Sequence, residues 1–247
     1  MNPDPSIVAL IPARAGSTRI PNKNMRPLAG HSLVDYRLAA AYESRIFRDI
    51  WVATDDLIDD VRVVADRYGA KTIRRQYSAW DEPDIIWIKR LLDGLTAPPP
   101  DAFAILRPTS PFLGADVIRA AWEHFTAMHV DSLRLMRKAR EHPGKMWLAQ
   151  RDQRVVPLLP FWTRTGEHGQ DAPWHSAPTQ TLIALYVQTG GLEILWTKTV
   201  RTTETISGSA VVGYVVEGPV ALDLNTEEDW QEAERLIASG AVLPHVA

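Results

Sequence analysis

The 247-residue chain contains no cysteine. That excludes disulfides, thiol nucleophiles and cysteine-ligated zinc. No apolar run approaches the roughly 18 residues of a membrane-spanning helix. The polar Met1–Ser6 segment lacks the pattern of a signal peptide. Excess charge is also missing: the formal net charge is −3, so nothing global draws the chain to nucleic acid or an anionic membrane. Any affinity for a polyanion must be local. Neither common phosphate loop, G-x-x-x-x-G-K-[ST] or G-x-G-x-x-G, occurs in the first forty residues, and there is no internal repeat. With 45% hydrophobic and 23% charged residues, the chain has ample core material for one large α/β domain or two small ones. A cytoplasmic enzyme is the expected class.

What is present is concentrated near the N-terminus. An apolar run of strand length, Ile7–Ile11, stops at Pro12 and opens into Ala13-Arg14-Ala15-Gly16-Ser17-Thr18-Arg19-Ile20-Pro21-Asn22-Lys23-Asn24. Small residues let backbone N–H groups approach phosphate oxygens, and Arg14, Arg19 and Lys23 bring the charge to neutralise them. A loop that empties from a strand lies at the carboxyl end of a sheet, where open α/β folds bind ligands. A basic surface turn has the same composition; the order of the residues is more specific than that.

Downstream, strand and helix patterns alternate as βαβ construction requires. Ser32-Leu33-Val34-Asp35 reads as a capping box for a helix to about Ser44. Asp49–Thr54 reads as a strand, and Ile58–Tyr68 as a helix stopped by Gly69. Asp84 reads as the cap of a helix to Leu95, Ala102–Leu106 as a buried strand, and Ala115–Met128 as a helix. Periodicity is lost between about Arg137 and Pro178, where residues 163–171 are loop-like and apolar content is too low for a separate core. Val211–Val216 reads as a strand, and Thr226–Asp229 as a capping box for a last helix to about Ser239.

Three further stretches carry donors or ligands. Arg107-Pro108-Thr109-Ser110-Pro111-Phe112 follows a strand and offers Arg107, Thr109 and Ser110. His142-Pro143-Gly144-Lys145 offers Lys145, with no second ligand at metal spacing for His142. In Ala221-Leu222-Asp223-Leu224-Asn225, strand alternation places Asp223 and Asn225 on one side. A carboxylate beside an amide oxygen suits a hard cation such as Mg²⁺, completed by phosphate and water.

Pro12 to Asn24 resembles, without a gap, the P-A-R-x-G-S-x-R-x-P-x-K-N loop of the acylneuraminate cytidylyltransferases (CMP-sialic acid synthetases). The related 3-deoxy-manno-octulosonate cytidylyltransferases usually read Lys-Pro-Leu where this chain has Lys23-Asn24-Met25. Arg107–Phe112 is similar to that family's [RQ]-P-T-S-P-[FL] nucleotide-pocket motif, and His142–Lys145 to its H-P-x-K element. The resemblance runs from Val8 to Trp230. It implies a nucleotide-diphospho-sugar transferase (Rossmann-like) fold, a mixed and mostly parallel sheet between helices, with 137–178 as an inserted dimerisation arm of a homodimer. It implies CTP and an acidic, sialic-acid-like nonulosonate as substrates, CMP-sugar and pyrophosphate as products, and Mg²⁺ as cofactor.

The residues implied are Ala13, Arg14, Ala15, Gly16, Ser17, Lys23, Asn24, Arg107, Thr109 and Ser110 for the nucleotide. Lys145, Gln180, Thr189, Gly190 and Glu193 face the sugar, and Asp223 and Asn225 the metal. Arg14, Lys23 and Asp223 carry the catalysis. The chain departs from the family at Asn225, where Asp is usual, at Thr189 for Asn, at Glu193 for Tyr and at Ile183 for Pro. A GTP-using or phosphonate-activating relative stays open at this stage. So does a catalytically silent nucleotide-binding or scaffold protein.

Overall fold

A computed structural model describes residues 4–14, 19–54, 59–74, 82–165 and 170–246. The chain forms two compact units, Met1–Met136 with Gln188–Ala247, and the intervening Arg137–Val187. Among the described residues, no helix is long and apolar enough to cross a membrane.

The first unit is built on a seven-stranded sheet. Its strands are β1 (Ile7–Pro12), β2 (Phe47–Thr54), β3 (Lys71–Arg74), β4 (Ala102–Leu106), β5 (Ser132–Lys138), β6 (Tyr186–Trp196) and β7 (Val211–Val215). They lie in the order β7-β5-β6-β4-β1-β2-β3. β1 pairs in parallel with β2 and β4, β2 with β3, and β7 with β5; β6 runs antiparallel to β4, with Ile194 opposite Ala104. The unbroken apolar run Ile7–Ile11 is explained by this central position, where both faces of the strand are buried.

Among the described residues six α-helices accompany the sheet: α1 (Leu33–Ser44), α2 (Asp59–Arg67), α3 (Asp84–Asp93), α4 (Ala115–Ala127), α5 (Thr197–Thr202) and α6 (Glu227–Ala238). α1, α2 and α4 cover the face that carries Ala9, Ile11, Ala104 and Ile194. α3 and α5 cover the face that carries Leu10, Ala53, Phe103, Ile105 and Leu195. A third cluster joins Ile20, Leu28, Phe112, Leu224 and Trp230. It draws the loops after β1, after β4 and before α6 onto one apolar support.

Both capping boxes form as read. Ser32 caps α1 with Asp35, and Thr226 caps α6 with Asp229. Other expectations are corrected. Pro83, not Asp84, is the N-cap of α3, because the Asp84 carboxylate is engaged by Trp87 and Arg107; the helix closes at Gly94. Residues 221–225 follow a 3-10 turn, Gly218–Ala221, and are not a strand. β3, β5 and α5 were not visible as elements. The 163–171 stretch holds parts of an antiparallel pair, Trp162–Thr165 with Gln170–Pro173, in register Thr163 to Ala172.

The second unit also holds the pair Trp147–Ala149 with Val155–Pro157. Its interior is small: Trp174 and Ala177 are buried, and Phe161 meets the Trp174 ring edge-on at 5.0 Å. A Cβ on Gly144 would stand 2.9 Å from Trp174, so the indole can pack there only against a glycine. Trp147, Leu148, Phe161, Trp162 and Ile183 remain exposed.

One side chain ties α1 to the turn after β4. Arg37 is fully buried and donates from Nε to the Arg107 carbonyl (3.2 Å), from Nη1 to that of Leu113 (3.1 Å) and from Nη2 to that of Ser110. Desolvation pushes the guanidinium down to about 9, still far enough above neutrality to keep it charged. Arg37→Met keeps the bulk but strands three carbonyls, each costing about 1–3 kcal/mol when buried and unpaired. Urea unfolding should therefore show a loss of at least ~3 kcal/mol. A midpoint equal to that of the unsubstituted chain would mean those carbonyls are satisfied without the guanidinium.

Candidate functional site

The chain leaves β1 with Ala13, whose N–H donates to the Ala53 carbonyl at 2.8 Å. The next residue, Arg14, is exposed, and its carbonyl accepts from Asn24 Nδ2 at 2.9 Å. Ala15, Gly16 and Ser17 lie outside the described residues. Past them, Asn22 adopts a left-handed backbone (φ 50°) and its carbonyl accepts the N–H groups of Met25 and Arg26. That turn directs Lys23 inward, where Nζ donates to the Leu224 carbonyl at 2.8 Å. Burial lowers the Lys23 pKa; Asp223 opposes that shift, while the charges of Arg19 and Arg14 add to it. Three loop cations and Asp223 therefore share one electrostatic environment.

The loop is clamped to α6 next to it. Arg26 forms a two-pronged ion pair with Glu227, at 2.7 and 2.8 Å, and its guanidinium lies 4.2 Å from the centre of the Trp230 ring. The segment that carries Lys23 and the helix that follows Asp223 are held together by this contact.

Leu224 also joins the turn after β4, since its N–H donates to the Thr109 carbonyl at 2.7 Å. Ser110, the next residue, is fully buried and its Oγ has no hydrogen-bond partner among the described residues. β6 closes the group from the other side. A Cβ on Gly190 would stand 3.1 Å from Asp223 Oδ2, and one on Gly191 2.8 Å from Ser110 Oγ. Two adjacent glycines thus allow β6 to approach both loops.

Asp223 is the centre of this arrangement. Its Oδ2 accepts from Asn225 Nδ2 at 2.7 Å, while its buried Oδ1 has no hydrogen-bond partner among the described residues. Asn225 Oδ1 in turn accepts from Arg19 at 3.3 Å. A buried carboxylate oxygen with unmet acceptor capacity, beside hydrogen-bonded oxygens, fits a hard cation. Among the described residues no group of three or more His, Asp or Glu side chains surrounds it, so further ligands would come from substrate and water.

Thr189 and Glu193 turn into the protein. Thr189 Oγ1 donates to the Leu135 carbonyl at 3.3 Å, and Glu193 is 1% exposed. Glu193 Oε1 accepts from Arg107 Nη2 at 2.6 Å, and its Oε2 pairs with Arg134. Arg107 also pairs with Asp84, at 2.7 Å. Lys145 and Gln180 belong to the second unit. There Lys145 donates to the carbonyls of His175 (3.1 Å) and Ala177, and Gln180 is exposed in the 3-10 turn Thr179–Thr181. His142 uses both ring nitrogens, accepting from the Gly144 N–H and meeting the Ile183 carbonyl.

The structure thus gathers Arg14, Lys23, Asn24, Thr109, Ser110, Gly190, Asp223 and Asn225 within the first unit. Arg37, Arg134, Asp84 and the Arg26–Glu227 clamp support them and were not read from the sequence. The available signal was a cation standing alone among apolar neighbours, Arg37 in Tyr-Arg-Leu-Ala-Ala and Arg134 in Leu-Arg-Leu. Gly191→Ala would drive a methyl group to within 3.0 Å of the buried Ser110 Cβ. Calorimetric melting should record a loss of about 1–3 kcal/mol for such overpacking. Unchanged melting would show that β6 has room to withdraw.

Comparison with known proteins bears on this geometry. The cytidylyltransferase family profile matches residues 8–141. A CMP-N,N'-diacetyllegionaminic acid synthase of Legionella pneumophila is 39% identical over 124 residues, covering 47% of this chain and 52% of that protein. An N-acylneuraminate cytidylyltransferase of Streptococcus agalactiae is 25% identical over 227 residues, covering 90% of this chain and 51% of that protein. The chain spans about half the length of these curated relatives. In structure it is similar to a CMP:2-keto-3-deoxy-manno-octonic acid synthetase complexed with CTP, with TM-score 0.65 and 15% identity over 95% of this chain and 99% of that one. This likeness shows the fold, mixed α/β with a mostly parallel sheet. With the profile covering more than half its length, the chain belongs to the cytidylyltransferase family.

Proposed function

We propose that this chain transfers a cytidylyl group from CTP to the anomeric hydroxyl of an acidic sugar of the nonulosonate class. The observation that carries the reading is the meeting of Lys23 with the Asp223 loop, through the Leu224 carbonyl, beside Arg14 and Arg19. A cationic loop at the end of β1 suits a triphosphate. A carboxylate facing it, with one unpartnered oxygen, suits a cation that bridges protein and phosphate. The names of the relatives, an N-acylneuraminate cytidylyltransferase and a CMP-legionaminic acid synthase, supply the substrate class.

In the reaction the sugar oxygen bonds to the α-phosphorus and the bond from that phosphorus to the bridging oxygen breaks. The electron pair leaves with pyrophosphate, and the hydroxyl proton passes to solvent or a nearby carboxylate. Positioning and charge neutralisation do most of the work in such transfers. Arg14, Arg19 and Lys23 would hold the triphosphate, and the half-buried Lys23 would act in a setting where its charge is only partly screened by water. Mg²⁺, held by Asp223 with Asn225 beside it, would neutralise charge on the phosphates. The absence of cysteine fits a reducing compartment, the cytoplasm.

Pyrophosphate release with each of four nucleoside triphosphates, against a panel of sugar acids, tests the assignment. Release is expected with CTP and a nonulosonate; release with GTP, or none with any pair, would replace it. Asp223→Asn should abolish turnover while leaving metal-free CTP binding in place. Turnover near that of the unsubstituted chain would show that the cation is held elsewhere.

The apolar surface of the second unit is part of the same proposal. Trp147, Phe161 and Trp162 are about half or more exposed, more than an isolated arm would leave in water. A second copy of the chain is the occupant proposed, giving a homodimer. Light scattering at micromolar concentration should return twice the chain mass, and Trp162→Asp should move it toward the monomer. A monomeric unsubstituted chain would remove the dimer from this account.

A further inference from the structure

Four charged side chains meet where β4 ends, on the face covered by α3. Arg107 Nη2 donates to Asp84 Oδ2 at 2.7 Å and to Glu193 Oε1 at 2.6 Å. Glu193 Oε2 pairs with Arg134, and Arg134 Nη2 donates to Ser207 Oγ at 2.7 Å. Asp84 Oδ1 accepts from Trp87 Nε1 at 2.7 Å. The inner pair, Glu193 and Arg134, is buried, with side chains 1% and 5% exposed; Arg107 is 26% exposed. Two cations and two carboxylates leave the group without net charge.

The backbone of Arg107 is fixed as firmly as its side chain. Its N–H donates to the Gly191 carbonyl at 3.3 Å, and its own carbonyl accepts from Arg37. Both hydrogens of Nη2 are taken by the two carboxylates. The Nε and Nη1 donors remain, on a partly exposed side chain immediately before Thr109 and Ser110. A buried ion pair is a poor device for stability alone, because desolvation offsets most of the attraction. It is a good device for holding a third group still.

The charges also bear on which substrate Arg107 can serve. Two carboxylates within 2.7 Å offset its attraction for phosphate, and the group as a whole carries no net charge to draw a polyanion. We infer that Glu193, itself held by Arg134, is a positioning residue that fixes Arg107 as a hydrogen-bond donor to the acceptor sugar and withdraws it from the triphosphate. This rests on the cytidylyltransferase reading above, and it reassigns Arg107 from the nucleotide to the sugar.

The test is steady-state kinetics on the full chain with CTP and the sugar acid that the unsubstituted chain uses. Glu193→Gln keeps an oxygen for Arg107 but removes the charge. The KM for the sugar should rise about tenfold, the scale of one charge-assisted hydrogen bond, with the KM for CTP within about twofold. Arg107→Met should give the same split. Because Glu193 acts through Arg107, the double variant Glu193→Gln/Arg107→Met should be no worse than Arg107→Met. Should Glu193→Gln fail to fold with Arg134 left unpaired, Glu193→Gln/Arg134→Met removes both buried charges and is read the same way. An unchanged sugar KM, a rise in the CTP KM instead, or multiplied losses in the double variant would overturn the inference while leaving the cytidylyltransferase reading intact. An unsubstituted chain that releases no pyrophosphate with any sugar acid would overturn both.

Discussion

The arrangement depends on one buried guanidinium. Among the described residues Arg37 has no carboxylate partner; three backbone carbonyls of the turn after β4 receive its donors. A cation in that position cannot be solvated, so it binds only while Arg107, Ser110 and Leu113 present their carbonyls together. The turn in turn presents Thr109 to the Asp223 loop and Ser110 to Gly191. Helix α1, capped at Ser32 and buried along most of its length, therefore sets the geometry of a loop more than sixty residues away in sequence.

Apolar packing does for the loops what Arg37 does for the turn. Ile20, Leu28, Phe112, Leu224 and Trp230 come from three separate segments, and each segment carries a polar member of the site within a few residues. Lys23 lies between Ile20 and Leu28, Ser110 before Phe112, and Asp223 and Asn225 on either side of Leu224. The alternation of an apolar anchor and a polar group keeps each functional side chain at the surface of a packed cluster. Loops so anchored lose little further freedom when a ligand binds.

Much of this was legible in the sequence where local chemistry decides it. The run Ile7–Ile11, the capping boxes at Ser32 and Thr226, and the Arg107–Phe112 turn are statements about neighbours in the chain, and the structure shows them. The pairing of Lys23 with Leu224, across about two hundred residues, is not such a statement. Nor is the capture of Glu193, which reads as an acceptor-side residue and is buried between two arginines. Asp84 shows the same limit: its type and place suit a helix cap, but a tryptophan and an arginine elsewhere in the fold compete for it and win. Strand β5, with Arg134 and Arg137 among its apolar residues, hid for a related reason. Its cation is accepted inside because β6 supplies the counter-charge.

The distribution of charge then makes sense of a chain whose net charge is −3. The loop after β1 brings Arg14, Arg19 and Lys23 together near Asp223 and Asp229, a concentration of positive charge suited to a polyanion. Arg107, just after β4, and Arg134, within β5, are matched one for one by Asp84 and Glu193. Gly190 on β6 approaches Asp223, and the Gly191 carbonyl accepts the Arg107 N–H. One β-strand thus touches both a cation-bearing loop region and a set of matched ion pairs. The first attracts by charge, and the second can discriminate only by the placement of its donors.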